Sequence, residues 1–220
     1  MSWTVLAPPG GRRVLIRWFD LDFGGDPPRK VLSAEEIARA RRFHREADAR
    51  RYLAGRAAMR RALGELLGSE PARLVFETGP HGKPGLAGAP CSFNFSRSGA
   101  RAVLAVVEEG RVGVDLEAAD AAPDSEDLAP LALAPAEART LRSLPAGERQ
   151  ADFLRRWTAR EALLKAAGTG LCCDPSSIGL LPEGAAFSAG GDPRVEGLLA
   201  WPLDAGAGFV AALATDRRAF

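Results

Sequence analysis

The secondary-structure signals in the first half of this chain recur in the same order in the second, and that recurrence limits the fold more than any single segment does. Val14, Leu15 and Ile16 form a short apolar run that ends at Gly24, Gly25, Pro27 and Pro28, which predicts one strand and a loop. Ser33 followed by Glu36 is a capping-box signature, and Ile37, Ala40, Phe43 and Ala47 follow at helical spacing. A further helical stretch with Tyr52, Leu53, Ala57, Met59, Leu63 and Leu66 stops at Gly68 and Pro71, as one bent helix or two successive ones. Short strands follow near residues 74–76, 92–95 and 101–107, the last two about a turn at Gly99. The second half repeats this order: a strand over 112–117, helical patterns over 135–144 and 148–168, then strands near 178–181, 194–199 and 208–214. The expected fold class is therefore α+β, with two similar halves, residues 1–110 and 111–220, related by pseudo-two-fold duplication. The cleft between the halves is the expected ligand site.

With 220 residues, 46% hydrophobic and a net charge of +1, the chain can bury a real core and is neither disordered nor collagen-like. Cys91, Cys172 and Cys173 form neither a disulfide framework nor a C-x-x-C metal spacing, which suits a reducing cytoplasm. The first ten residues lack a signal-peptide pattern, and no run approaches the ~20 apolar residues of a membrane helix. A soluble cytoplasmic protein with no membrane partner is expected. His44 and His81 stand at no metal spacing, and no Gly-x-Ser-x-Gly elbow, Walker loop or dinucleotide fingerprint is present.

Strand alternation in Gly113-Val114-Asp115-Leu116-Glu117 places Asp115 and Glu117 on one face and Val114 and Leu116 on the other. Two carboxylates facing one way suit a hard cation such as Mg²⁺, which binds one or two carboxylates together with substrate phosphates. They also suit an amphipathic strand with its acids in water, the reading that alternation alone favours. Glu161 and Lys165 are four apart and share a helical face, either as a third carboxylate with a phosphate-seeking ammonium or as an exposed ion pair. The scarcity of lysine favours the first reading, because only Lys30, Lys83 and Lys165 are lysines among 29 basic side chains. A compact point charge kept in so arginine-rich a chain suits a phosphate oxygen.

The segments His81-Gly82-Lys83-Pro84 and Phe93-Asn94-Phe95-Ser96-Arg97-Ser98-Gly99 bring a lysine, hydroxyls and an arginine together, as phosphate binding or as ordinary turns. Asn94, the only asparagine of the chain, would anchor that turn by hydrogen bonds. Residues 34–61 hold nine arginines against four acids. They read as a solvated helix face, a nucleic-acid surface or a patch gripping one phosphorylated small molecule.

Taken jointly, Gly113-Val114-Asp115-Leu116-Glu117 and Trp157-Thr158-x-x-Glu161-Ala162-x-x-Lys165-x-x-Gly168-x-Gly170-Leu171 resemble the 4′-phosphopantetheinyl transferase superfamily, in its long, two-halved Sfp-like type. Phe93-Asn94-Phe95-Ser96-Arg97-Ser98, Gly82-Lys83-Pro84, Arg41-Arg42-Phe43 and Asp48-Ala49-x-Arg51 extend the resemblance over residues 33–172. It implies Mg²⁺-dependent transfer of phosphopantetheine from coenzyme A to a serine of an acyl or peptidyl carrier protein, leaving adenosine 3′,5′-bisphosphate. It assigns Asp115, Glu117 and Glu161 as metal ligands, Glu161 also as proton acceptor, and Lys165 as catalytic and pyrophosphate-binding. Lys83, Ser96, Arg97, Arg39 and Arg51 would hold the phosphates and adenosine. Arg97 stands where the family most often has His, and Arg160 where a Lys usually precedes the glutamate; both keep the positive charge. A monomer, with no nucleic-acid partner, is expected, because one chain supplies both walls of the site. The rival readings are a non-catalytic coenzyme A-binding module of the same fold, an arginine-rich nucleic-acid binder, and a Mg²⁺-dependent phosphohydrolase.

Overall fold

A computed structural model describes residues 2–22, 25–120, 125–169 and 173–217. Gly24, Gly170, Leu171 and Cys172, named above, lie outside them. The first half carries strands β1 (Thr4–Leu6) and β2 (Val14–Asp20), helices α1 (Ala34–Ala40) and α2 (Glu46–Leu67), a hairpin of β3 (Phe76–Thr78) and β4 (Pro84–Leu86), and a hairpin of β5 (Ser92–Ser98) and β6 (Arg101–Val107). The second half carries β7 (Val112–Ala118), α3 (Ser125–Ala132), α4 (Pro135–Ser143), α5 (Ala146–Ala167), β8 (Gly179–Glu183), β9 (Ala186–Gly190), β10 (Leu198–Leu203) and β11 (Phe209–Asp216).

The Ser33 capping box forms as expected: Glu36 N–H donates to Ser33 Oγ at 3.2 Å and Ser33 N–H to Glu36 Oε2 at 2.8 Å. The helical stretch divides into α1 and α2. Both long helices have 22 residues and end on a left-handed glycine, Gly68 at φ 63° and Gly168 at φ 73°, the conformation that stops a helix at little cost when no Cβ is present.

All strand pairs are antiparallel, in the orders β1-β2-β6-β5 and β7-β11-β10-β9-β8. The order β2-β6-β5 of the first sheet is thus matched by β7-β11-β10 in the second, and each sheet carries its long helix on one face. Met59 and Leu63 of α2 pack with Phe93 and Leu104, while Ala162 and Leu163 of α5 pack with Leu198 and Ala212. The remaining faces meet: Val14, Ile16, Val103 and Ala105 of the first sheet form one core with Val114, Leu116 and Leu213 of the second. Fully burying each such side chain contributes about 1.5–3 kcal/mol, so the seam between the halves is a genuine core. Among the described residues no helix is long and apolar enough to cross a membrane.

The same buried tie braces both halves. Arg60 donates to Glu36 Oε2 at 2.8 Å and to the carbonyls of Pro71 and Leu74, both at 3.0 Å. Arg160, fully buried, donates to Glu137 and, through Nε and Nη2 at 3.2 and 2.8 Å, to the Ile178 carbonyl. Arg160 is therefore a core brace whose fork joins a carboxylate to a carbonyl, a task for which an ammonium is the wrong shape. Strands β1 and β9 and helix α3 carry no clear sequence signal. The strand expected over 194–199 begins instead at Leu198, because Asp192 caps a tight turn at Pro193–Val195 by accepting the Arg194 N–H at 2.8 Å.

Candidate active site

The site begins with a missing side chain. A Cβ on Gly113 would come within 2.0 Å of the Ala162 carbonyl oxygen and 2.4 Å of Ala166 N, so α5 lies directly on the backbone of β7. Because Val114 and Leu116 face the inter-sheet core, alternation turns Gly113, Asp115 and Glu117 toward α5. The acids are not in water: Asp115 is buried at 3% exposure, and Glu117 is half-buried.

Lys165 donates to Asp115 Oδ1 and, at 3.3 Å, to Ser96 Oγ. Asp115 Oδ2 and Glu161 Oε1 are buried with no hydrogen-bond partner among the described residues. Burial pushes the Glu161 carboxyl above the usual carboxylate range, with Lys165 opposing and Asp115 and Glu117 adding to the rise. Burial, then the Asp115 charge, likewise pushes Glu117 up, while Ser98, Lys165 and Trp157 pull it back. The charges of Asp115 and Glu117 act on Glu161, and that of Asp115 on Glu117, so the three carboxyls lie close together. Among the described residues no three His, Cys, Asp or Glu side chains are yet grouped as a ligand set. An entering cation would have to draw Asp115 from Lys165, but the donors fit it: hard carboxylate oxygens, two of them buried and unpartnered.

The first half meets this cluster through β5. Ser96, expected on a phosphate, makes two contacts within the chain: its hydroxyl donates to Asp115 Oδ1 at 3.2 Å and its oxygen accepts the Leu116 N–H at 3.3 Å. A hydroxyl has one hydrogen, and here it is spent on the carboxylate. The Lys83 ammonium donates to the carbonyls of Val112 at 2.9 Å and Ala166 at 3.2 Å, tying the β3–β4 hairpin to β7 and the end of α5. Arg51 forms a two-point pair with Asp22 at 2.7 and 2.6 Å, beside a cavity of about 340 Å³. Arg97 and Arg39 do come together, each 5.8 Å from the Tyr52 ring centre, with Arg97 also 5.7 Å from Phe43. Asn94 anchors β7 instead of its own turn, accepting the Val114 N–H at 2.8 Å. Reasoning from sequence alone missed Ser98 and Tyr52, although the two-residue spacing of Asn94, Ser96 and Ser98 already marks them as one face of a strand. A larger cavity of about 510 Å³, lined by Arg12, Leu15, Leu66, Cys91, Val106 and Glu108, holds none of these residues.

The first half does not repeat the cluster. At the matching fourth strand residue and twentieth helix residue it has Arg17 and Glu65, 2.7 Å apart, with the signs reversed, and Arg61 in place of Glu161.

Residues 111–190 match the family model described as 4'-phosphopantetheinyl transferase superfamily, and residues 28–109 match that of 4'-phosphopantetheinyl transferase, N-terminal. A 4'-phosphopantetheinyl transferase of Bacillus subtilis is 31% identical over 157 residues, covering 70% of this chain and 69% of that protein. The chain belongs to the 4'-phosphopantetheinyl transferase superfamily. The two matched segments of this superfamily member abut between β6 and β7, so the carboxylate cluster falls in one and Ser96, Ser98 and Arg97 in the other. The 4'-phosphopantetheinyl transferase HetI of Nostoc sp. is 42% identical over 145 residues, 64% of this chain and 61% of that protein. A putative transferase of Synechocystis sp. is 39% identical over 64% of this chain; this chain spans about three fifths of the length of these two relatives, 61% and 58%. A crystal structure of Thermotoga maritima holo-[acyl-carrier-protein] synthase is similar over 49% of this chain and 64% of that one, at 21% identity and a TM-score of 0.40.

Proposed function

We propose that this superfamily member transfers 4′-phosphopantetheine from coenzyme A to a serine of an acyl or peptidyl carrier protein. The observation that carries the reading is the pair of buried, unpartnered oxygens on Asp115 and Glu161 beside the Lys165 ammonium, at the seam of the two halves. Such a site stabilises a group that brings both cationic charge and anionic phosphate with it. Asp115, Glu117 and Glu161 would hold Mg²⁺, which supplies charge neutralisation for a pyrophosphate and its leaving group.

The remaining work belongs to side chains of this chain. Lys165 offers the pyrophosphate an ammonium already inside the site. Arg39 and Arg97, held about the Tyr52 ring, offer guanidinium donors to the terminal phosphate from the opposite wall. The serine oxygen forms a bond to the phosphorus that carries pantetheine, the bond from that phosphorus to the adenosine-side phosphate breaks, and the serine proton passes to Glu161. The raised proton affinity of Glu161 suits a group that must accept a proton near neutral pH. One chain supplies both walls, which supports action as a monomer.

A mass spectrum of an apo carrier protein incubated with the chain, coenzyme A and Mg²⁺ tests the reading. A single covalent addition of phosphopantetheine, absent with Glu161→Gln, is expected. An unchanged carrier while coenzyme A is cleaved would replace transfer by hydrolysis, and an unchanged carrier with intact coenzyme A would leave a binding module.

A further inference from the structure

Among the described residues strand β7 pairs with one strand, β11, along one edge. On the other edge its N–H groups would face the first half without a strand to receive them, yet three are satisfied by side chains of β5. Val114 N–H donates to Asn94 Oδ1 at 2.8 Å, Leu116 N–H to Ser96 Oγ at 3.3 Å and Ala118 N–H to Ser98 Oγ at 3.0 Å. Both strands advance by two residues at each step, so the three contacts form a ladder with one register.

The chemistry of each rung matches what β7 carries there. The first rung lies beside Gly113, which has no side chain, and uses an amide oxygen. The second and third lie beside Asp115 and Glu117 and use hydroxyls, each of which accepts a backbone N–H and donates its hydrogen to the adjoining carboxylate. Ser96 donates to Asp115 Oδ1 at 3.2 Å and Ser98 to Glu117 Oε2 at 3.1 Å. Fixing one oxygen of a carboxylate by a hydrogen bond orients the other, as with Asp115, whose Oδ2 is left unpartnered.

We infer that Ser98 is a positioning residue for Glu117, as Ser96 is for Asp115, so that the first half sets the geometry of a cation site whose ligands all lie on the second. This inference rests on the metal role proposed above for those carboxylates. A hydroxyl suits this position: alanine would leave the Ala118 N–H unpaired, and a polar side chain without a hydroxyl could not accept from the backbone and donate to the carboxylate through one atom.

Titration of the full chain with Mn²⁺, followed by calorimetry and by loss of the free-ion paramagnetic signal, separates the possibilities. Ser98→Ala should weaken Mn²⁺ binding roughly 10- to 100-fold, the range typical of groups that orient metal ligands, and Ser98→Thr should restore it. In a Glu117→Gln background the same alanine substitution should change affinity by less than about two-fold, because a residue acting through Glu117 has nothing left to act on. Equal losses in both backgrounds would make Ser98 a purely structural contact. Unchanged binding by Ser98→Ala, with binding lost in Asp115→Asn, would overturn the positioning role and leave the metal site standing. Unchanged binding by Asp115→Asn would overturn both.

Discussion

Lys165 donates to Asp115 Oδ1 while Oδ2 of the same carboxylate lies buried without a partner among the described residues. The ammonium thus occupies one oxygen of the acid that the proposed reaction needs for a metal ion. Lysine and metal compete for Asp115, and a charge-assisted hydrogen bond of this type contributes about 1.5–3 kcal/mol. Lys165→Gln should therefore bind Mg²⁺ roughly 10- to 100-fold more tightly in the absence of coenzyme A, while losing transfer to the carrier. Calorimetric titration checks the first effect and carrier labelling the second. Weaker Mg²⁺ binding by the variant would show that the lysine assists the ion and does not displace it.

The Arg160–Glu137 brace yields a prediction about stability. Removing one partner of a fully buried ion pair leaves the other charged in a core, so Arg160→Met should cost about 3–5 kcal/mol. Arg160→Lys keeps the charge but cannot span Glu137 and the Ile178 carbonyl with one fork, and should cost about 1–3 kcal/mol. Urea unfolding measures both. Equal stability of the parent and the lysine variant would mean that the fork geometry contributes nothing.

The repeated order of elements, the shared face of Asp115 and Glu117, the Ser33 capping box and the glycine helix ends all follow from local periodicity and backbone chemistry, and the structure carries them. Periodicity states which face a side chain takes but not what stands opposite. The resemblance puts Ser96, Lys83 and Arg51 on phosphates and adenosine; within the chain they hydrogen-bond to Asp115, two carbonyls and Asp22, partners that no periodicity reveals. Asp115 and Glu117 were compatible with water until Gly113 brought α5 onto them. Strand β9 and helix α3 escaped notice for a related reason: one is short and half-buried, and the other contains Pro130.

Lys83 makes the contact between the halves sensitive to alkaline pH. Burial chiefly, with the nearby Arg111 charge adding to it and Asp216 opposing, pushes its ammonium down to about 8 from the ordinary lysine value of 10.5. A lysine depressed in the folded chain holds fewer protons there than when unfolded, so between about pH 8 and pH 10.5 unfolding takes up a proton and stability from this group rises with pH. Below that window both states are charged and the group contributes no slope. The difference in unfolding free energy between the parent and Lys83→Met should therefore move in favour of the parent as pH rises from about 8 to 10. A difference that stays constant across the window would mean that the ammonium is as well solvated as a free one.

Arg97 bears on recognition of the proposed coenzyme. Its guanidinium lies 5.7 Å from the Phe43 ring and 5.8 Å from that of Tyr52, which Arg39 also approaches at 5.8 Å. The negative face of the ring attracts both cations and so offsets part of their repulsion. Burial lowers the proton affinity of Arg97, but arginine starts so far above neutrality that it stays charged throughout the working range. The KM for coenzyme A should accordingly owe no pH dependence to this position in the parent. Arg97→His should introduce one, with KM rising as the imidazole loses its proton near its ordinary value of about 6.5. Measuring KM from about pH 5.5 to 8 for both proteins decides the point, because the imidazole titrates within that interval. Parallel profiles would show that this side chain stands away from the phosphate, leaving Arg39 as the cation that faces it.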